Sequence, residues 1–130
     1  MDAEQLRVML ETGYILREAA RFDEAEKVFR GVAELMPDSE VPRVGLGTVY
    51  LQRGDFAEAA AICGQASADH PDSEYARVHY GEALLFGQQR EKARTELLEL
   101  IRKNPDSPHA KTAQALLDAA DIVAPLAANS

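Results

Sequence analysis

The tripeptide Pro-Asp-Ser occurs three times, at Pro37-Asp38-Ser39, Pro71-Asp72-Ser73 and Pro105-Asp106-Ser107, at intervals of 34 residues. A chain with an internal period of this length is built from copies of one supersecondary unit, which buries its apolar face only by stacking on its neighbours. Other positions keep the phase: Gly13, Gly47 and Gly81, and Ala25, Ala59 and Ala93. A glycine inside a helix costs up to about 1 kcal/mol relative to alanine. Three at one phase therefore point to close helix packing.

Each Pro-Asp-Ser reads as a helix stop followed by a helix start. Proline cannot continue the preceding helix. Ser39, Ser73 and Ser107 suit the next N-cap, and Pro108 suits a first helical position. Asp55 with Glu58 reads as an acidic variant of a capping box. The pattern predicts seven helices, near 3–18, 22–35, 40–53, 56–69, 74–87, 90–103 and 108–122, and so an all-α chain. The last carries Ala110, Ala113, Leu116, Leu117 and Ala120 on one face, and Lys111, Gln114, Asp118 and Asp121 toward solvent. That is what the end of a stacked array needs. One domain is expected over 1–123, with repeats 6–39, 40–73 and 74–107. The segment 124–130 is expected to fray.

Composition excludes several functions. The 130 residues are 46% hydrophobic, enough for a core, and 14 Lys and Arg face 22 Asp and Glu, a net charge of −8. Neither nucleic acid nor an anionic membrane surface suits that balance. No apolar run reaches the roughly 18 residues of a spanning helix. Met1-Asp2-Ala3-Glu4-Gln5 has no signal-peptide character, and a cytoplasmic location is expected. One cysteine, Cys63, cannot form an internal disulfide. It lies mid-helix between Ala59 and Ala66 and reads as a buried small hydrophobe rather than a reactive thiol.

No catalytic constellation is present. His70, His79 and His109 lack helical metal-site spacing. Gly45-Leu46-Gly47 lacks the third glycine and the preceding strand of a nucleotide fingerprint. Glu24, Glu26, Glu34, Glu58, Glu91, Glu96 and Glu99 read as a solvated face. The expectation is no enzyme, no cofactor and no metal.

The phased residues also carry a family resemblance. Repeat two reads Arg43, Leu46-Gly47, Tyr50, Ala59, Cys63, Pro71; repeat three reads Arg77, Tyr80-Gly81, Leu84, Ala93, Leu97, Pro105; repeat one reads Met9, Thr12-Gly13, Leu16, Ala25, Phe29, Pro37. This resembles the tetratricopeptide repeat pattern W-x2-L-G-x2-Y, A-x3-F, P over nearly the whole chain. The bulky first residue of that pattern is replaced throughout. Arg43 and Arg77 in that slot read either as aliphatic stems over the core or as cations beside the groove.

The resemblance implies an α-solenoid of three helix pairs with a capping helix. Its concave groove is lined by the first helix of each pair. Family contact positions map onto Arg7, Leu10, Tyr14, Arg17 and Glu18; onto Val41, Val44, Thr48, Leu51 and Gln52; and onto Tyr75, Val78, Glu82, Leu85 and Phe86. Most are apolar or aromatic, and a contiguous apolar patch marks a partner site; the alternative is that some of them, Val44 and Val78 first, pack against the neighbouring first helix or an N-terminal arm. An apolar peptide or amphipathic helix of a partner protein is the expected ligand, with Tyr14, Tyr75 and Phe86 as anchors.

Two subfamilies can be weighed. Co-chaperones that bind heat-shock-protein C-termini use a Lys-Asn-Asn-Lys-Arg clamp. The matching slots here hold Leu10, Tyr14, Gly45, Tyr75 and His79, which offer no ammonium or amide to a terminal carboxylate. Phe22–Phe29, Gly45-Leu46-Gly47 and His79–Leu85 resemble the small tetratricopeptide chaperones of bacterial type III secretion. That resemblance implies shielding of apolar segments before export. A self-assembling scaffold or homodimer, in which one copy's groove takes a helix of the next, and an adaptor module of a larger complex stand as alternatives.

Overall fold

The computed structural model describes residues 1–128, and side chains over residues 1–123. The elements are α1 (Ala3–Glu18), α2 (Phe22–Leu35), α3 (Val41–Arg53), α4 (Phe56–Asp69), α5 (Glu74–Phe86), α6 (Arg90–Lys103) and α7 (Pro108–Ala128). Each helix packs on the next, and α1, α3, α5 and α7 also touch in sequence. The result is a two-layer α-solenoid, with α1, α3, α5 and α7 inside the curve and α2, α4 and α6 outside. Among the described residues, no helix is long and apolar enough to cross a membrane.

The period has an atomic basis. Phe29, Cys63 and Leu97 on the outer helices lie against Gly13, Gly47 and Gly81 on the inner ones. A Cβ at Gly13 would stand 2.8 Å from Phe29 Cζ, and one at Gly47 or Gly81 would collide with Cys63 Sγ or Leu97 Cδ2. Ala25, Ala59 and Ala93 are fully buried at the same interfaces. Small residues thus let the two helices of each pair approach closely.

The turn inside each pair repeats as well. Ala20, Gly54 and Gln88 take left-handed φ values of 61°, 90° and 69°. The next residues, Arg21, Asp55 and Gln89, donate their N–H to the carbonyls of Leu16, Tyr50 and Leu84 at 2.9, 2.8 and 2.9 Å. Only Gly54 suits this conformation; a side chain there costs about 1 kcal/mol.

Capping departs in part from expectation. Ser73 and Ser107 accept from the N–H of Ala76 and Ala110, both at 3.1 Å. Ser39 instead accepts from Val41 N–H at 3.2 Å, and Glu40 occupies the cap of α3. The expected Asp55–Glu58 box does not form, because Asp55 sits at φ −89°, ψ 69°, outside the extended conformation that aims a capping side chain. A capping box closes α1 instead, between Asp2 and Gln5. The alanine-rich α7 continues to Ala128, past the expected 122 and through most of the segment expected to fray. Residues 129–130, and the side chains from 124 onward, lie outside the described residues.

Candidate functional site

The floor of the groove is aromatic. Phe29 fills the space left by Gly13 and Gly45. Tyr14 stands edge-on to it, with ring centres 5.1 Å apart at 64°. Tyr14 on α1 and Tyr75 on α5 reach across α3, and their hydroxyls lie 3.0 Å apart. His79 meets Tyr75 edge-on at 5.1 Å. Burial, reinforced by the bond to Tyr14, pushes the Tyr75 hydroxyl above the usual phenol range. The two tyrosines expected as partner anchors are therefore taken up by each other at this end. They occupy the slots where the clamp subfamily places amide and ammonium.

Toward the C-terminal ends of α1, α3 and α5 the groove opens. A depression of about 400 Å³ is lined by Arg17, Thr48, Leu51, Gln52, Phe56, His79, Glu82 and Phe86. Arg17 donates from Nη1 to Thr48 Oγ1 at 2.7 Å, and the Thr48 hydroxyl donates in turn to the Gly45 carbonyl at 2.6 Å. The guanidinium lies 5.1 Å from the Tyr14 ring centre, and its Nη2 contacts Glu18 at 3.0 Å. Hydrogen bonds from Gln52 and Arg17 hold the Glu18 carboxyl below the usual carboxylate range. His79 Nδ1 and Glu82 Oε1 are 3.0 Å apart. Phe86 is 51% exposed and stacks on Phe56, with centres 5.7 Å apart. The opening thus offers apolar walls around polar groups that are already oriented, a suitable setting for a peptide with spaced apolar anchors.

Of the expected contact residues, Arg17, Leu51, Glu82 and Phe86 meet here, joined by Thr48 and Gln52 from the same register. Leu10 packs half-buried beside Tyr14 on the Phe29 cluster, and Val41 is half-buried at the start of α3. Val44 and Val78 do not face the groove. Val44 is fully buried with Cys63, Ala66 and Ala76, and Val78 is buried with Leu97, Leu100, Ala110, Ala113 and Leu117. Their position points into the corner where an inner helix meets its own outer helix and the next inner one. Leu85 lines a separate pocket of about 220 Å³ against α7, with Leu116, Ala119 and Val123. Phe56 and His79 were absent from the expected set. Phe56 opens an outer helix, where an inner-helix register cannot find it, although Phe22 at the same phase hints at it.

Arg43 and Arg77 lie inside their helix pairs rather than beside the groove. Arg43 Nη1 bonds Asp69 at 2.9 Å, and Arg77 Nε faces Glu96 at 3.5 Å. Cys63 is buried, and burial with the nearby Glu82 charge pushes its thiol up to about 12. Among the described residues, no three His, Cys, Asp or Glu side chains are grouped to hold a metal ion.

Solved structures show the same architecture. PcrH from Pseudomonas aeruginosa superposes with a TM-score of 0.80 at 18% identity, covering 93% of this chain and 95% of that one. The Yersinia enterocolitica type III secretion translocator chaperone SycD, in complex with a peptide of the translocator YopD, gives 0.77 at 16%, covering 93% and 95%. The first tetratricopeptide domain of Spaghetti (RPAP3), bound to the HSP90 peptide SRMEEVD, gives 0.75 at 21%, covering 92% and 95%. No curated protein sequence matches the chain. The tetratricopeptide repeat family pattern matches residues 16–77 and again 50–117, which together span more than half of the chain. The 34-residue period, the glycine-backed helix pairs and this match lead to one conclusion: the chain belongs to the tetratricopeptide repeat family.

Proposed function

We propose that this chain is a non-enzymatic binding module that takes an apolar segment of a partner protein into the open end of its concave groove. The finer reading is a cytoplasmic chaperone that shields such a segment before secretion. The opening beside Leu51 and Phe86 carries the proposal, because exposed aromatic surface within a preformed concavity is what an apolar anchor requires. Fold similarity to SycD, whose structure holds a YopD peptide, is consistent with it.

The groove also argues against a ligand of the kind bound by the Spaghetti (RPAP3) domain. SRMEEVD ends in two carboxylates, and a clamp for them needs free cations. The arginine in the opening, Arg17, already bonds Thr48 and Glu18. His79, the other basic group there, contacts Glu82.

Calorimetric titration of the full chain with the YopD peptide and with SRMEEVD tests this. The expected result is micromolar binding of the YopD peptide and at least tenfold weaker binding of SRMEEVD. The reverse order would overturn the reading.

A further inference from the structure

The two ends of the solenoid are finished differently. At the C-terminal end α7 presents Lys111, Gln114 and Asp118, all exposed, as the polar outer face of a stacked array requires. The N-terminal end is apolar. On α1, Val8 is 49% exposed and Ile15 68%. One, two and three repeats on, Val8 corresponds to Pro42, Ala76 and Ala110, and Ile15 to Val49, Ala83 and Leu117. All six are buried. The structure also shows what buries them. Val49 clusters with Ala25 and Phe29 of α2, Ala76 with Cys63 and Ala66 of α4, and Ala110 and Leu117 with Leu97 and Leu100 of α6. Each cover is a helix ridge whose apolar residues stand three or four positions apart. Among the described helices α1 touches only α2 and α3, and its own version of this face has no such cover.

We propose that this face of α1 is a self-association surface whose occupant is a second copy of the chain, the two α1 helices packing on each other about a twofold axis. The contact continues the stacking surface built three times inside the chain. A helix ridge of three- and four-residue spacing covers each homologous face, and Val8, Thr12 and Ile15 form such a ridge. Stacking the end of one copy on the start of the next would instead bury Lys111, Gln114 and Asp118 against apolar side chains. The contact therefore closes on itself rather than growing into a filament. Its polar groups are already satisfied. The Thr12 hydroxyl donates to the Val8 carbonyl at 2.8 Å, and Glu4 and Glu11 at the rim both pair with Arg7. One helix-on-helix contact with 16 residues a side falls at the low end of specific interfaces, which sets the expected affinity in the micromolar range. Tyr14 and Arg17 leave α1 on its other side, so both grooves stay open, and the proposal stands independently of what they bind.

Sedimentation equilibrium of the full chain, from about 5 to about 500 µM, tests this. The average mass is expected to rise from that of one chain toward that of two. Ile15→Glu and Val8→Glu, both at exposed positions, should each weaken association at least tenfold and leave the denaturation midpoint in place. Should one of them unfold the chain, the other decides. Amide NMR on dilution should show shifts at Val8, Thr12 and Ile15. The mass of a single chain at every concentration would overturn the proposal, as would association that survives both substitutions. So would association lost on Ile122→Glu or Leu51→Asp instead, which would place the contact at the end of α7 or in the groove.

Discussion

The two ends of the groove use aromatic residues in opposite ways. At one end Tyr14 and Tyr75 meet across α3 and bond to each other. At the other, Phe86 leans on Phe56 and leaves half its surface to solvent. All but Phe56 sit at positions where this repeat family contacts partners. Register alone therefore does not separate a residue that closes the groove from one that lines its opening. The distance between inner helices does, because two long polar side chains can meet only where the superhelix brings their tips together.

The largest expected effect concerns the thiol beneath both ends. Cys63 packs under α3 against Gly47, and burial together with the Glu82 charge raises its thiol from 9.0 to about 12. Only thiolate reacts, so at pH 8 native Cys63 should react about 1000-fold more slowly than in denatured protein. Thiol titration with and without urea measures this. The folded thiol keeps its proton where the unfolded one loses it. Its contribution to stability is therefore complete below about pH 9 and declines as pH rises toward 12. Equal rates in the two states would mean that the layer under the groove is open.

Substitutions at the two ends should split stability from binding. Tyr75→Ala removes a largely buried ring and orphans the Tyr14 hydroxyl, and should cost about 3 kcal/mol of stability by denaturant unfolding. Leu51→Asp with Phe86→Ser should leave the denaturation midpoint nearly unchanged. The same pair should weaken binding of the YopD peptide by about 2 kcal/mol, as hot-spot truncations do. If Tyr75→Ala instead left stability intact and abolished binding, the ends would exchange roles.

Much of this was legible in the residues, and what was not has a physical cause. The period exposed the fold because each repeat must reproduce its neighbour's interface: glycine 13, 47 or 81 needs a partner 16 residues on, and Phe29, Cys63 and Leu97 stand there. Arg17, Leu51, Glu82 and Phe86 follow from that register. For Val44 and Val78 the register left packing against a neighbouring helix open beside the groove, and burial decides for packing, because a helical wheel does not include the third helix that covers them. The Tyr14–Tyr75 contact spans 61 residues and depends on superhelical curvature, which no local pattern encodes. The missing Asp55 cap and the left-handed turns share a cause. One turn geometry recurs at all three repeats, but only Gly54 announces it by its residue type.

That turn supplies the smallest effect. Gln88 holds φ 69° two residues beyond Phe86, and Gly87, Gln88 and Phe86 line one surface depression with Gly54 and Phe56. A side chain at this φ is disfavoured because its Cβ crowds the backbone. Gln88→Gly should therefore raise stability, but glycine also gains freedom in the unfolded chain, so the net gain is about 1 kcal/mol or less. Ala20→Gly, at the same phase beside the closed end, should behave alike. Neither substitution removes a groove side chain. If Phe86 acts through its exposed face, both variants will unfold at higher denaturant and bind the YopD peptide with unchanged affinity. If Gln88→Gly weakens binding while Ala20→Gly does not, the strained turn is what holds Phe86 open toward the groove, and the contrast between the two ends extends from their side chains into the backbone.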